Sequence, residues 1–121
     1  MAWYAAHVVM YVQFKDGDQH HYPVWENILL IESTSDHDAL ARATTLAKED
    51  EGDHKGSLNW KGRPATMVFA GIRKLMAVSH QAIDDHIGSG DEVTYSEFDL
   101  PSREALDRLV AGDDVNLTYV E

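Results

Sequence analysis

The chain has no cysteine, few basic residues and no apolar run long enough for a bilayer, and each shortage removes a class of protein. Without Cys there is no disulfide framework, no thiolate zinc site and no cysteine nucleophile. The longest apolar stretch, Ala2 to Val12, falls short of the roughly 20 residues that span a membrane, and His7 interrupts it. Tyr11, Val12, Gln13 and Phe14 offer no small-x-small cleavage pattern after that run, so a secretory leader is not expected and the expected location is the cytoplasm. Ten Lys and Arg stand against 21 Asp and Glu, a formal charge of −11. That balance argues against nucleic acid or anionic lipid as a direct partner, because Lys and Arg supply most of the affinity for phosphate.

What is present describes an ordinary globular chain. With 121 residues, 44 % of them hydrophobic and 26 % charged, one domain spanning 1–121 is expected, able to bury a core without metal or disulfide. The charges fall in blocks. Lys55, Lys61, Arg63, Arg73 and Lys74 occur with no acid among them, whereas the Asp84 to Asp99 region holds Asp84, Asp85, Asp91, Glu92, Glu97 and Asp99 with no base. A third block, Glu49, Asp50, Glu51 and Asp53, falls where a helix should end, the unfavourable end of the helix dipole. A solvated surface would also account for all three blocks. Seven histidines would carry the charge from −11 to −4 on protonation, mostly between about pH 7 and 5.5.

From Tyr4 to Phe14 every even position is apolar, while the odd face mixes Trp3, Ala5, Val9 and Tyr11 with His7 and Gln13, which predicts a strand covered fully on one side and partly on the other. A turn at Lys15–Asp18 leads to a second alternating run, Tyr22 to Ser33, with Pro23 suited to its start or to an edge. Ser35 followed by Asp38 predicts a capped helix from about Asp36 to Glu49, with Leu40, Ala43, Leu46 and Ala47 as its apolar stripe. Lys61-Gly62 is a two-residue hairpin signal, and Ala65 to Val78 is a long strand with a bulge near Gly71. Glu92 to Phe98 should form another strand. Pro101-Ser102 opens a short helix closed by Gly112, and Val115, Leu117 and Tyr119 alternate as a last strand. The order predicts an α+β fold, a mainly antiparallel sheet of five to six strands with one longer and one short helix on one face.

The segments Trp3-Tyr4, Trp25-Glu26-Asn27-Ile28-Leu29-Leu30-Ile31-Glu32, Phe69-Ala70-Gly71-Ile72 and Gly90-Asp91-Glu92-Val93 together resemble a family of small bacterial proteins of unknown function. The resemblance covers about residues 2 to 98. Ser33 stands where many members carry Ala, and 99–121 reads as a helix–strand extension. The resemblance supports the fold and implies no established activity.

Candidate chemistry is sparse. His80, Asp84 and His86, with Asp85 nearby, form the best metal-like cluster, but Cys-free zinc sites usually use helical His pairs, so no metal or other cofactor is expected. His20 and His21 would point to opposite faces of a strand. Asp16-Gly17-Asp18 and Asp50 to Asp53 lack the Gly and Glu positions of a calcium loop. No nucleophile elbow, P-loop or dinucleotide fingerprint is present. His7 fits a hydrogen-bonded structural histidine better than a general base.

These features point away from an enzyme and toward a non-catalytic interaction module. The expected surface is the basic hairpin of Trp60, Lys61, Arg63, Arg73 and Lys74, docking on the acidic region of a second copy in a two-fold homodimer. Alternatives are an acidic immunity or inhibitor protein that blocks a basic partner such as a nuclease or toxin, and an enzyme using the His80 cluster.

Overall fold

The structure, a computed structural model, describes residues 1–78 and 86–120. Its elements are β1 (Ala2–Phe14), β2 (Val24–Ser33), α1 (Asp36–Glu49), β3 (Asn59–Trp60), β4 (Arg63–Ala77), β5 (Glu97–Asp99), α2 (Arg103–Ala111) and β6 (Thr118–Val120). The fold is α+β. Four antiparallel strands form one sheet in the order β2-β1-β4-β3, while β5 and β6 pair in a separate sheet of two. The single sheet of five to six strands is thereby corrected. Alternation shows that a segment is extended but not which strand it joins. Within the expected Glu92–Phe98 strand, the regular strand among the described residues is Glu97–Asp99, with β6 as partner.

β1 occupies an interior position because it is apolar on both sides. Tyr4, Ala6, Val8, Met10 and Val12 are buried, and so are Ala5 and His7 on the opposite face. The even face meets α1. Ala39, Ala43 and Ala47 of that helix are buried against Tyr4, Ala6, Val8, Met10 and Ile31, with Leu29, Met67, Phe69, Ile72 and Leu75 around them. The expected stripe therefore shifts: Leu40 and Leu46 remain more than 40 % exposed, and three alanines at i, i+4 and i+8 make the contact. Small side chains let the helix lie close on the strands, and the longer leucines flank the seam. The Ser35 hydroxyl accepts from the Asp38 amide and caps α1 as its sequence predicts.

Among the described residues α1 packs on the four-stranded sheet and α2 makes no comparable contact with it, which corrects the expectation of two helices on one face. α2 is nonetheless well formed, with Ser102 accepting from the Ala105 amide and Gly112 closing it at φ 81°. The β3–β4 hairpin turns at Lys61 (φ 50°) and Gly62 (φ 88°), positive at both central positions, with Trp60 opposite Arg63. In β4 the bulge expected near Gly71 is double. Lys74 and Ile72 face His7 and Val8, and Gly71 and Phe69 face Val9 and Met10, so Arg73 and Ala70 are the extra residues. Among the described residues no helix is long and apolar enough to cross a membrane.

Candidate functional site

The sheet face opposite α1, here the far face, carries a polar cluster around His7. Successive strand residues alternate, so the odd positions of β1 that escape the helix point there. The neighbours of His7 on the far face are Lys74 on one side and Ile28 on the other, with Glu26 opposite Val9. His7 is fully buried and both of its ring nitrogens have partners. Nδ1 lies 2.9 Å from Glu26 Oε2, and Nε2 contacts the Thr94 hydroxyl. The Thr94 hydroxyl, placed between the His7 ring and Met76, also donates to Met76 Sδ at 3.8 Å.

Glu26 is shared. The Arg73 guanidinium donates to both of its oxygens, through Nε to Oε1 and through Nη2 to Oε2 at 3.2 Å. That fork needs Arg73 on the far face beside Lys74, although neighbours on a regular strand diverge; the bulge at Arg73 turns both the same way. The Arg73 hydrogen bond is the main cause that holds the Glu26 carboxyl below its ordinary pKa, with His7 adding to it against the opposing effect of partial burial. The Tyr119 ring stacks over Arg73, 4.4 Å from its guanidinium carbon. Lys74 Nζ donates to the Tyr95 carbonyl and lies 4.2 Å from the Tyr95 ring.

Carboxylate, imidazole and hydroxyl thus stand in the order of a nucleophile relay. The Glu26 carboxylate in it is already paired with Arg73, and the cavities of about 270, 340 and 200 Å³ lined by described residues lie over α1 and around α2 and β6.

The residues expected at an interface do not share one patch. Lys61 and Arg63 flank the β3–β4 turn, whereas Arg73 and Lys74 lie ten residues along β4, about 30 Å away at about 3.3 Å per residue. Arg63 pairs with Asp16 at 3.3 Å, donates to the Asp18 carbonyl and covers the Phe14 ring at 3.8 Å. Trp60 is half-buried and meets Trp25 of its own chain edge-on. Lys61 is exposed, 5.9 Å from the Trp60 ring. The signs intermingle at Lys15–Asp53, Arg63–Asp16 and Arg73–Glu26.

Of the metal-like cluster, His80 and Asp84 lie outside the described residues, as does Asp85, and His86 is exposed. Among the described residues no group of three His, Cys, Asp or Glu could hold a metal ion. His20 and His21 fall in the β1–β2 connection rather than on a strand. The Glu26–Arg73 pair was not foreseen, because its members are 47 residues apart and only the register and bulge bring them together.

An α+β domain with a helix-backed antiparallel sheet and a buried polar cluster on the far face is the class these features define. The chain belongs to the family described as a domain of unknown function, DUF4288, whose model matches residues 3–94. No curated protein and no solved structure matches it. The match ends at Thr94, the residue that touches His7.

Proposed function

We propose that this chain is a non-catalytic protein-interaction module that pairs with a second copy of itself along the outer edge of β2. The observation that carries this reading is the edge itself. β2 is a ten-residue strand at the end of its sheet, and among the described residues no strand pairs with its outer side. Edges are normally blunted by short length, Lys, Pro or bulges. Val24–Ser33 has no Lys, Arg, Pro or Gly, and one of its two acids, Glu26, is tied to Arg73 and His7; Arg42 of α1 donates to the Glu32 carbonyl near the end of the strand, so the open stretch is Val24–Ile31. Val24, Ile28 and Leu30 are 55, 46 and 46 % exposed and stand on the far face beside that edge. Scattered apolar residues need no explanation, but a row along an open edge does.

A strand paired antiparallel with its own copy is self-complementary about a two-fold axis. Centred on Ile28, such pairing sets each Ile28 beside its symmetry mate and joins two four-stranded sheets into one of eight. The homodimer expected from the charge blocks is retained in this proposal, but its surface moves from the basic hairpin to β2. Arg63 and Arg73 are held by Asp16 and Glu26, so charge docking would first break pairs the chain already makes.

Sedimentation velocity tests it. The wild-type chain is expected to be dimeric at about 100 µM and to stay so in about 0.5 M salt, since apolar and backbone contacts are little screened. Ile28→Lys, at a half-exposed position, should be a monomer with an unchanged melting profile. A wild-type monomer throughout, or a dimer indifferent to Ile28→Lys, would overturn the reading, and a dimer dissolved by salt would return the surface to the charged residues.

A further inference from the structure

Beyond the family match the chain touches the far face at two tyrosines, and it follows directly on Thr94, the last matched residue. The segment starts beside Thr94, which is bonded to His7; Tyr95 covers Lys74 and Tyr119 covers Arg73. Residues 95–121 hold 7 acidic and 2 basic side chains, −5 of the whole charge of −11, and what they cover on β4 is a pair of adjacent cations. The hold is thin. Tyr95 and Tyr119 are 50 and 49 % exposed, β5 and β6 have three residues each, and neither α2 nor the two-stranded sheet packs broadly on the main sheet. Such a segment is attached as a docked peptide is, by side-chain anchors, and it belongs to the low-stability end of the structure.

We propose that the Arg73–Lys74 face of β4 is a docking site for an acidic, tyrosine-bearing peptide segment of a partner protein, occupied in cis by residues 95–121. The bulge at Arg73 builds the site, because it sends two successive cations to one face, where a regular strand would send one to each. Cation–π contact then reads the aromatic rings at both cations; because the Arg73 charge is already matched by Glu26, Lys74 is the cation whose charge favours an acidic segment. A tethered segment acts at an effective concentration of millimolar order, so the intact chain excludes a competing peptide until its own segment lifts.

The probe is a labelled peptide of residues 95–121, its binding to the full-length chain followed by fluorescence anisotropy. Tyr119→Ala removes one cis anchor from an exposed position, and the variant is expected to bind the peptide about tenfold more tightly than wild type. Adding Lys74→Glu to Tyr119→Ala should abolish the gain. Equal binding by wild type and a folded Tyr119→Ala chain, or a gain that survives Lys74→Glu, would overturn the proposal. Hydrogen exchange on the unmodified chain gives a second arm that needs no variant. Amides of Thr118–Val120 should exchange well before those of β1, and equal protection of the two would refute a displaceable segment. Neither readout depends on whether β2 forms a dimer.

Discussion

Trp25 and Trp60 meet edge-to-face with ring centroids 5.4 Å apart, although they belong to the two opposite edge strands of the sheet, with β1 and β4 between them. On a flat sheet three strand spacings of about 4.8 Å, together with the six-residue offset between Phe69, level with Trp25, and Arg63, opposite Trp60, would hold their backbones more than about 20 Å apart. Ring contact at 5.4 Å therefore requires the sheet to twist and curl so that its two edges approach each other. This contact, rather than a partner, is what half-buries Trp60, and it ties the β3–β4 hairpin to β2.

If the pair fastens the two edges, its energy should be measurable as a coupling. Trp25→Ala and Trp60→Ala are each expected to destabilise the chain, and a double-mutant cycle in urea should give a coupling of about 0.5–1.5 kcal/mol. Near-UV circular dichroism should change alike in both single variants. Additive effects would mean that each indole packs independently.

The hairpin turn offers a change of the opposite sign. Lys61 holds φ 50° and Gly62 φ 88°, so a side chain is strained at both, and nothing lies within 4 Å of a Cβ added to Gly62. Gly62→Ala should therefore cost about 1–2 kcal/mol from backbone strain alone. Lys61→Asn places a residue tolerant of the left-handed region there and should raise stability by about 0.5 kcal/mol. Thermal melts of the two variants should move in opposite directions.

How far the sequence reveals this structure depends on the distance over which each feature is decided. The Ser35 cap, the helix bounds Asp36–Glu49 and the Lys61-Gly62 turn are set by neighbouring residues and were legible. The even-position pattern of β1 identified its buried face, and His7 reads from sequence as hydrogen-bonded, though not to what. Leu40 and Leu46 misled because an i, i+3, i+4 pattern admits two adjacent stripes, and close approach to the sheet selected the alanines. The Thr94–His7 contact spans 87 residues and Arg73–Glu26 spans 47; neither has a local signal. Charge blocks along the chain gave no guide to charge on the surface, since strands place distant residues side by side.

The alanine seam sets a steric limit. Ala43 is fully buried between α1 and the strands. Ala43→Leu should cost about 1–3 kcal/mol through overpacking, whereas Leu46→Ala, on the exposed flank of the helix, should cost well under 1 kcal/mol. Urea midpoints that ranked these two substitutions the other way would show that the leucines carry the packing.

The Glu26 network predicts a direction with pH. Its carboxyl is held below the ordinary value of 4.5, chiefly by Arg73. A group depressed by folding contributes stability in full above its unfolded pKa and loses it as pH falls through the folded value. The chain should therefore weaken progressively as the pH drops below about 4.5. Glu26→Gln removes the charge that balances Arg73 and an acceptor for His7, at a site where both ion-pair partners are about three-quarters buried. The expected cost at pH 7 is about 1–3 kcal/mol, less than for a fully buried pair because water still reaches it. The same variant should lose less stability than wild type between pH 5 and about 3, since the titrating group is gone. Urea unfolding at both pH values separates the two effects. An unchanged acid slope in Glu26→Gln would place the acid sensitivity elsewhere, with Asp53, held below its ordinary pKa chiefly by Lys15, as the next group to replace.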